Sequence, residues 1–204
     1  GITSKNITPL LLDGLNRLEY RGYDSSGLVI LSQDNKLVRE RAAGKVSNLE
    51  NKLKLIKSKL EGNVGLAHTR WATHGKPSVN NAHPHISKNS ISVVHNGIIE
   101  NYIDLKDLQM KQGYAFTSET DTEVIAHAIE SAIKPSDSLL KATQKAIKAL
   151  NGSYGIGVLS SKYPDQIIVA RKGSPLVIGI GDNGNYVASD QMALLSVTDK
   201  FIFL

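Results

Sequence analysis

Apolar positions along this 204-residue chain follow two rhythms, one helical and one alternating. Leu11, Leu12, Leu15 and Leu18 recur at helical spacing behind Thr8-Pro9. Thr8 is the expected cap there, and Pro9 loses nothing by lacking an N–H in a first turn. Two strands are predicted next, near 27–31 and 37–43. Ser47-Asn48-Leu49-Glu50 then reads as a capping box opening a second helix. Its dry stripe is Leu49, Leu53, Ile56 and Leu60; its wet face is Lys52, Lys54, Lys57 and Lys59. A short buried strand is predicted at 63–67, and strand-like runs recur at 91–95, 155–160, 166–171, 176–180 and 186–189. Helices are predicted near 102–112, 122–133 and 138–150, the second behind another capping box, Thr120-Asp121-Thr122-Glu123.

Strands therefore come in groups joined by short Gly, Asn and Asp turns, and helices come in groups too. A doubly wound sheet would alternate them. The grouping predicts an α+β fold with largely antiparallel sheets whose faces are covered by helices. The length suits one well-buried domain, spanning 1–204. The last residues, Lys200-Phe201-Ile202-Phe203-Leu204, read as an apolar strand that stops abruptly, and a longer natural chain is expected beyond it.

Composition narrows the function classes. Apolar and charged fractions of 41% and 21% are those of an ordinary folded protein. The net charge of +5 raises the question of nucleic acid, yet the densest basic group is the wet face of the second helix. No nucleic-acid partner is predicted. No run approaches the ~20 apolar residues of a membrane span and no signal peptide is read, so no membrane partner is predicted either. Zero cysteines exclude disulfides and thiolate metal sites in the chain as written. His68, His74, His83, His85 and His95 have no acidic partner at ligand spacing, so no metal is expected. Gly179-Ile180-Gly181-Asp182-Asn183-Gly184 matches a dinucleotide-binding pattern but precedes a strand instead of a helix, which makes it a hairpin turn.

Three stretches carry candidate chemistry. In Ala67-His68-Thr69-Arg70-Trp71-Ala72-Thr73-His74-Gly75 a forked cation, an indole, two hydroxyls and two imidazoles follow a strand into a loop, where binding residues concentrate. Arg70 suits a carboxylate, with Thr73 and His74 as nearby donors. In Val93-Val94-His95-Asn96-Gly97 the Asn-Gly pair reads either as a hairpin turn or as two donors aimed at one oxyanion. Spacing alone does not choose. In Ser118-Glu119-Thr120-Asp121-Thr122-Glu123 the acidic residues suit a helix N-terminus, and Asp121 is alternatively a partner for an α-ammonium group.

Together with Leu18-Glu19-Tyr20-Arg21-Gly22-Tyr23-Asp24-Ser25, these stretches resemble the glutaminase domain of glutamine–fructose-6-phosphate aminotransferases, which are class II glutamine amidotransferases. The likeness continues through Gly173-Ser174-Pro175-Leu176 and Ala188-Ser189-Asp190-Gln191 to Phe203. Phosphoribosyl amidotransferases differ at the arginine loop and lack the Tyr-Arg-Gly-Tyr-Asp-Ser run. The resemblance implies a four-layer αββα sandwich of the N-terminal nucleophile hydrolase type. It also implies a cytoplasmic enzyme that hydrolyses L-glutamine to L-glutamate and ammonia without a cofactor. The ammonia passes to a C-terminal isomerase domain of the same chain, in a homodimer, which converts fructose 6-phosphate to glucosamine 6-phosphate.

Residue by residue, the resemblance assigns Asn96 and the Gly97 N–H to the oxyanion hole. Arg70, helped by Thr73 and His74, takes the substrate carboxylate, and Asp121 takes the ammonium. Arg21 and Gly22 line the floor, and Trp71 stands at the ammonia exit. The family's nucleophile is an N-terminal cysteine whose own amine acts as base. Here the chain opens on Gly1-Ile2, so the cysteine is expected directly ahead of Gly1. About four residues of the family's first strand are also missing after Ile2, a length judged against ordinary strands. As written, the polypeptide cannot form the thioester. A glutamine-binding module without catalysis, or the glutaminase domain of another class II amidotransferase, is the alternative.

Overall fold

The computed structural model describes residues 1–56, 60–72 and 74–204. In chain order its elements are β1 (Ile2–Thr3), α1 (Thr8–Leu18), β2 (Ser25–Leu31), β3 (Leu37–Ala43), α2 (Val46–Lys54), β4 (Val64–Arg70), β5 (His85–Ser87) and β6 (Ile91–Ile99). Then follow α3 (Tyr102–Lys111), α4 (Glu123–Ala132), α5 (Leu139–Ile147), β7 (Gly152–Ser160), β8 (Tyr163–Lys172), β9 (Val177–Gly181), β10 (Gly184–Ala188) and β11 (Phe201–Phe203). The strands form a seven-stranded sheet, ordered β11-β9-β10-β1-β4-β2-β3, and a four-stranded sheet, ordered β5-β6-β7-β8. Every pairing is antiparallel. None of the described helices is long and apolar enough to cross a membrane.

Strand alternation explains the layering. On β2, Leu28 and Ile30 pack outward against α1 and α2, with Leu15, Val46, Leu49 and Leu53. Val29 and Leu31 point the other way and meet Val64, Leu66 and Leu159 between the sheets. On the second sheet Val93, Ile156 and Val158 face α4 and α5 through Val124, Ile125, Ile129 and Leu139. The result is helices, sheet, sheet, helices: the four layers expected from the resemblance.

The elements match the sequence reading in kind, and the differences have local causes. Thr8 is not a side-chain cap. Its hydroxyl donates to the Leu60 carbonyl at 2.8 Å, and Ile7 holds the cap position. Neither capping box forms. Helix α2 starts at Val46, whose N–H donates to Glu19 Oε2 at 2.6 Å, so a distant carboxylate does the capping. Glu123 opens α4 but turns back to accept from the N–H groups of Thr117 and Ser118 at 3.0 and 2.8 Å. Lys57 and Lys59 of the predicted wet face lie outside the described residues. Strand β5 was missed because its three residues carry no visible alternation. The glycine-rich run at 179–184 is the β9–β10 hairpin, with Gly181 opposite Gly184.

Two strands run further than their apolar content suggested. β4 continues through His68, Thr69 and Arg70, and β6 through Asn96, Gly97, Ile98 and Ile99. The Asn-Gly pair is therefore inside a strand and is not a turn. Gly97 has φ +132°, and an added Cβ would sit 2.1 Å from the Ser153 carbonyl oxygen. Only glycine fits there.

Candidate active site

The continuation of these strands makes the site. Val64, Leu66, His68 and Arg70 share the inner face of β4, and Val94 and Asn96 share that of β6, by the two-residue period. At one end the inner layer is apolar and closed. At the other, His68 and Arg70 of β4 and Asn96 of β6 bring polar groups to the gap, and Gly155 and Gly157 of β7 also line it. A cavity of about 410 Å³ opens there. Its wall includes Arg21, Arg70, Trp71, His74, Asn96, Gly97 and Asp121, together with Gly1. Gly22 stands behind the wall, with Cβ-distance 3.2 Å from the Arg70 carbonyl carbon, so its lack of a side chain lets the two backbones touch. That replaces the expected floor position for Gly22. Thr73 lies outside the described residues.

Arg70 is buried at the end of β4. One terminal nitrogen, Nη2, donates to the carbonyls of His74 and Gly75, the latter at 2.9 Å, and so closes the arginine's own loop. The other, Nη1, lies 3.6 Å from Asp24 Oδ1 and is buried without a hydrogen bond among the described residues. The guanidinium thus closes its own loop through Nη2 and faces the Asp24 carboxylate through Nη1. Burial lowers its pKa, while the charges of Asp24, Asp121 and Glu119 oppose that shift. His74 packs edge-on against Tyr102, ring centroids 5.0 Å apart. Trp71 is 65% exposed at the rim, edge-on to Tyr23 at 6.3 Å. Arg21 is held by Ser189 Oγ at 2.5 Å and by Asp190 at 3.5 Å.

Strand β6 presents its donors through a missing neighbour. β5 ends opposite Val93, so the N–H groups beyond that point on the same edge have no strand to pair with. The His95 N–H takes His83 Nδ1 at 3.4 Å, and the Ile99 N–H takes Asp121 Oδ2 at 2.8 Å. Alternation directs the Gly97 N–H, between them, to the same uncovered edge. Beside it, Asn96 Oδ1 accepts from His68 Nε2 at 2.8 Å across the gap between sheets. The Asn96 amide –NH₂ is left for the cavity. Asp121 is buried two residues ahead of α4.

The buried histidines around the site are held neutral. Burial pushes the His68 imidazole down from 6.5 to about 4. Burial likewise lowers His83 and His85 well below the usual value, and His95 below it. No group of three or more His, Cys, Asp or Glu able to hold a metal occurs among the described residues. Sequence reasoning noted His68 only as a candidate metal ligand. Its position two residues past Leu66 on the inner face was the available signal.

A family profile for the glutamine amidotransferase domain matches residues 68–196, more than half of the chain. The chain belongs to the glutamine amidotransferase domain family. Curated relatives named glutamine–fructose-6-phosphate aminotransferase (isomerizing) include those of Acinetobacter baylyi, 52% identical over 204 residues, and Buchnera aphidicola subsp. Acyrthosiphon pisum, 53% identical over 204 residues. Each match covers 100% of this chain and 33% of the relative, so the chain spans about a third of their length. Among solved structures, the glutamine phosphoribosylpyrophosphate amidotransferase of B. subtilis superposes with TM-score 0.81 at 25% identity, over 98% of this chain and 43% of that one. A structure described as the allosteric regulatory enzyme of purine biosynthesis gives 0.77 at 29% identity, over 95% and 42%. The fold is the α+β sandwich of N-terminal nucleophile hydrolase type that these amidotransferase domains share.

Proposed function

We propose that this chain is a single glutaminase domain, residues 1–204, of an enzyme that hydrolyses L-glutamine to L-glutamate and ammonia. One observation carries the reading. A buried guanidinium, a buried carboxylate and two amide donors meet at the wall of a single cavity. Arg70 binds the α-carboxylate, assisted by His74 and, by the family resemblance, Thr73. The Asp121 oxygen not held by Ile99 binds the α-ammonium. Asn96 –NH₂ and the Gly97 N–H stabilise the oxyanion of the tetrahedral intermediate. Arg21 shapes the wall and Trp71 covers the exit.

The nucleophile is a cysteine joined ahead of Gly1. In the register Ile2↔Val64, with Gly1 bonded to Gly65 at 2.8 Å, such a residue comes opposite Leu66 at the cavity wall. Its thiolate attacks the amide carbon, ammonia leaves with the thiol proton delivered through the α-amine, and water cleaves the thioester. By likeness to the relatives, the ammonia aminates fructose 6-phosphate to glucosamine 6-phosphate on a C-terminal isomerase domain, in a cytoplasmic homodimer. The second reading is a glutamine-binding module without turnover. Glutamate release by the full-length protein separates the two. Release abolished by replacing the cysteine supports the enzyme, and tight glutamine binding with no release supports the binder. Intact mass spectrometry reports directly whether a cysteine precedes Gly1.

A further inference from the structure

An asparagine amide has a donor end and an acceptor end of nearly the same shape. Only the donor end stabilises an oxyanion; the carbonyl end repels it. Asn96 therefore needs a neighbour that distinguishes the two. Across the gap between sheets, His68 Nε2 lies 2.8 Å from Asn96 Oδ1. His68 Nδ1 is buried without a partner among the described residues. A bare lone pair is the cheaper group to leave unpaired, so the ring proton belongs on Nε2, facing the carbonyl end of the amide.

The ring is also held still. It stacks on His83 with centroids 4.2 Å apart and planes at 28°. His83 is in turn fixed at Nδ1 by the His95 N–H at 3.4 Å and at Nε2 by Thr122 Oγ1 at 3.2 Å. An apolar side chain would fill the same space on β4 without an orphaned nitrogen, so packing does not explain this histidine. A neutral ring is maintained through the physiological range by burial.

We propose that His68 is a positioning residue for glutamine hydrolysis: its Nε2–H holds the carbonyl end of Asn96, turning the –NH₂ end toward the substrate oxyanion. This rests on the reading of Asn96 as an oxyanion donor. The test uses the full-length enzyme with its cysteine and follows glutamate release in His68→Met, His68→Gln, Asn96→Ala and the double variant His68→Met/Asn96→Ala. His68→Met, which has no donor, lowers kcat by about 10- to 100-fold with KM within about threefold. His68→Gln restores an N–H and recovers kcat to within about fivefold of wild type. In the Asn96→Ala background His68→Met adds less than about twofold, because the group it orients is gone.

Equal impairment of the Met and Gln variants, or an undiminished His68→Met loss in the Asn96→Ala background, overturns the proposal. Normal turnover in Asn96→Ala overturns the oxyanion reading itself. An impaired Asn96→Ala with a normal His68→Met overturns only the positioning role. Ring-nitrogen NMR of histidine-labelled wild-type protein gives a readout independent of whether the variants fold. A neutral Nε2–H tautomer at His68 is expected at pH 7, and an Nδ1–H tautomer refutes the proposal.

Discussion

Between the sheets, Val64 and Leu66 of β4 pack with Val94 and Leu159 of the opposite sheet. Further along the same face of the same strand, His68 reaches Asn96 across the gap and Arg70 lines the cavity. The backbone is equally regular in both regions. What changes is the polar content: the cavity end carries Arg70 Nη1 and one ring nitrogen each of His68, His74 and His95 buried without hydrogen bonds among the described residues. Buried polar groups are normally paired, so a concentration of exceptions beside a cavity marks where a ligand completes the structure. The apolar end holds the two sheets in register, and that register brings Asn96 to His68. Stability and chemistry are therefore separable along one strand.

Substitutions at the two ends test that separation. The largest effect is expected from Asn96→Ala, which should lower kcat for glutamine hydrolysis by about two to three orders of magnitude with little change in KM. Its urea midpoint should stay close to wild type; a loss of stability matching the loss of rate would dissolve the distinction. At the apolar end, Leu159→Ala should cost about 2–5 kcal/mol of stability in denaturant titrations, with KM for glutamine preserved in the folded fraction. Arg70→Lys comes next, raising KM at least about tenfold, since a point charge replaces a fork that holds both the loop carbonyls and the substrate. Unchanged KM in that variant would remove Arg70 from the binding site.

The smallest effect is one of pH. His68, His83, His85 and His95 are all held neutral by burial, so each folded pKa lies below its unfolded value. Their contribution is complete above the unfolded pKa and is lost as pH falls toward the folded one. For His68 that window runs from 6.5 down to about 4. Between pH 7 and pH 6 the loss should stay under about 1 kcal/mol per histidine, with the acid side less stable. A urea midpoint that rises on acidification through this range would contradict the neutral cluster.

Much of this was readable beforehand, for identifiable reasons. The grouping of strands and helices rests on periodicity, a local property, and it led to the observed layers. Arg70, Asn96 and Asp121 stood out because polar residues interrupted apolar runs. The Thr8 cap and the Ser47 capping box failed because Leu60 and Glu19, both far along the chain, supplied the partners, while Glu123 of the second box turned back to Thr117 and Ser118. The Asn96-Gly97 ambiguity had the same origin. A turn and an in-strand donor pair look alike until β7 is seen bonded alongside, with Gly97 opposite Tyr154.

By itself, the sequence determined the antiparallel layered class, the interruption of strands β4 and β6 by polar residues, and the membership of an amidotransferase family. Those follow from side-chain type and spacing along the chain, or from likeness spread over its whole length. Only the tertiary structure decided that His68 faces Asn96, that Arg70 divides its nitrogens between its own loop and Asp24, and that the Gly97 N–H has no strand to pair with. Each of these depends on which segments meet across a sheet or between sheets, and the packing of distant residues sets that.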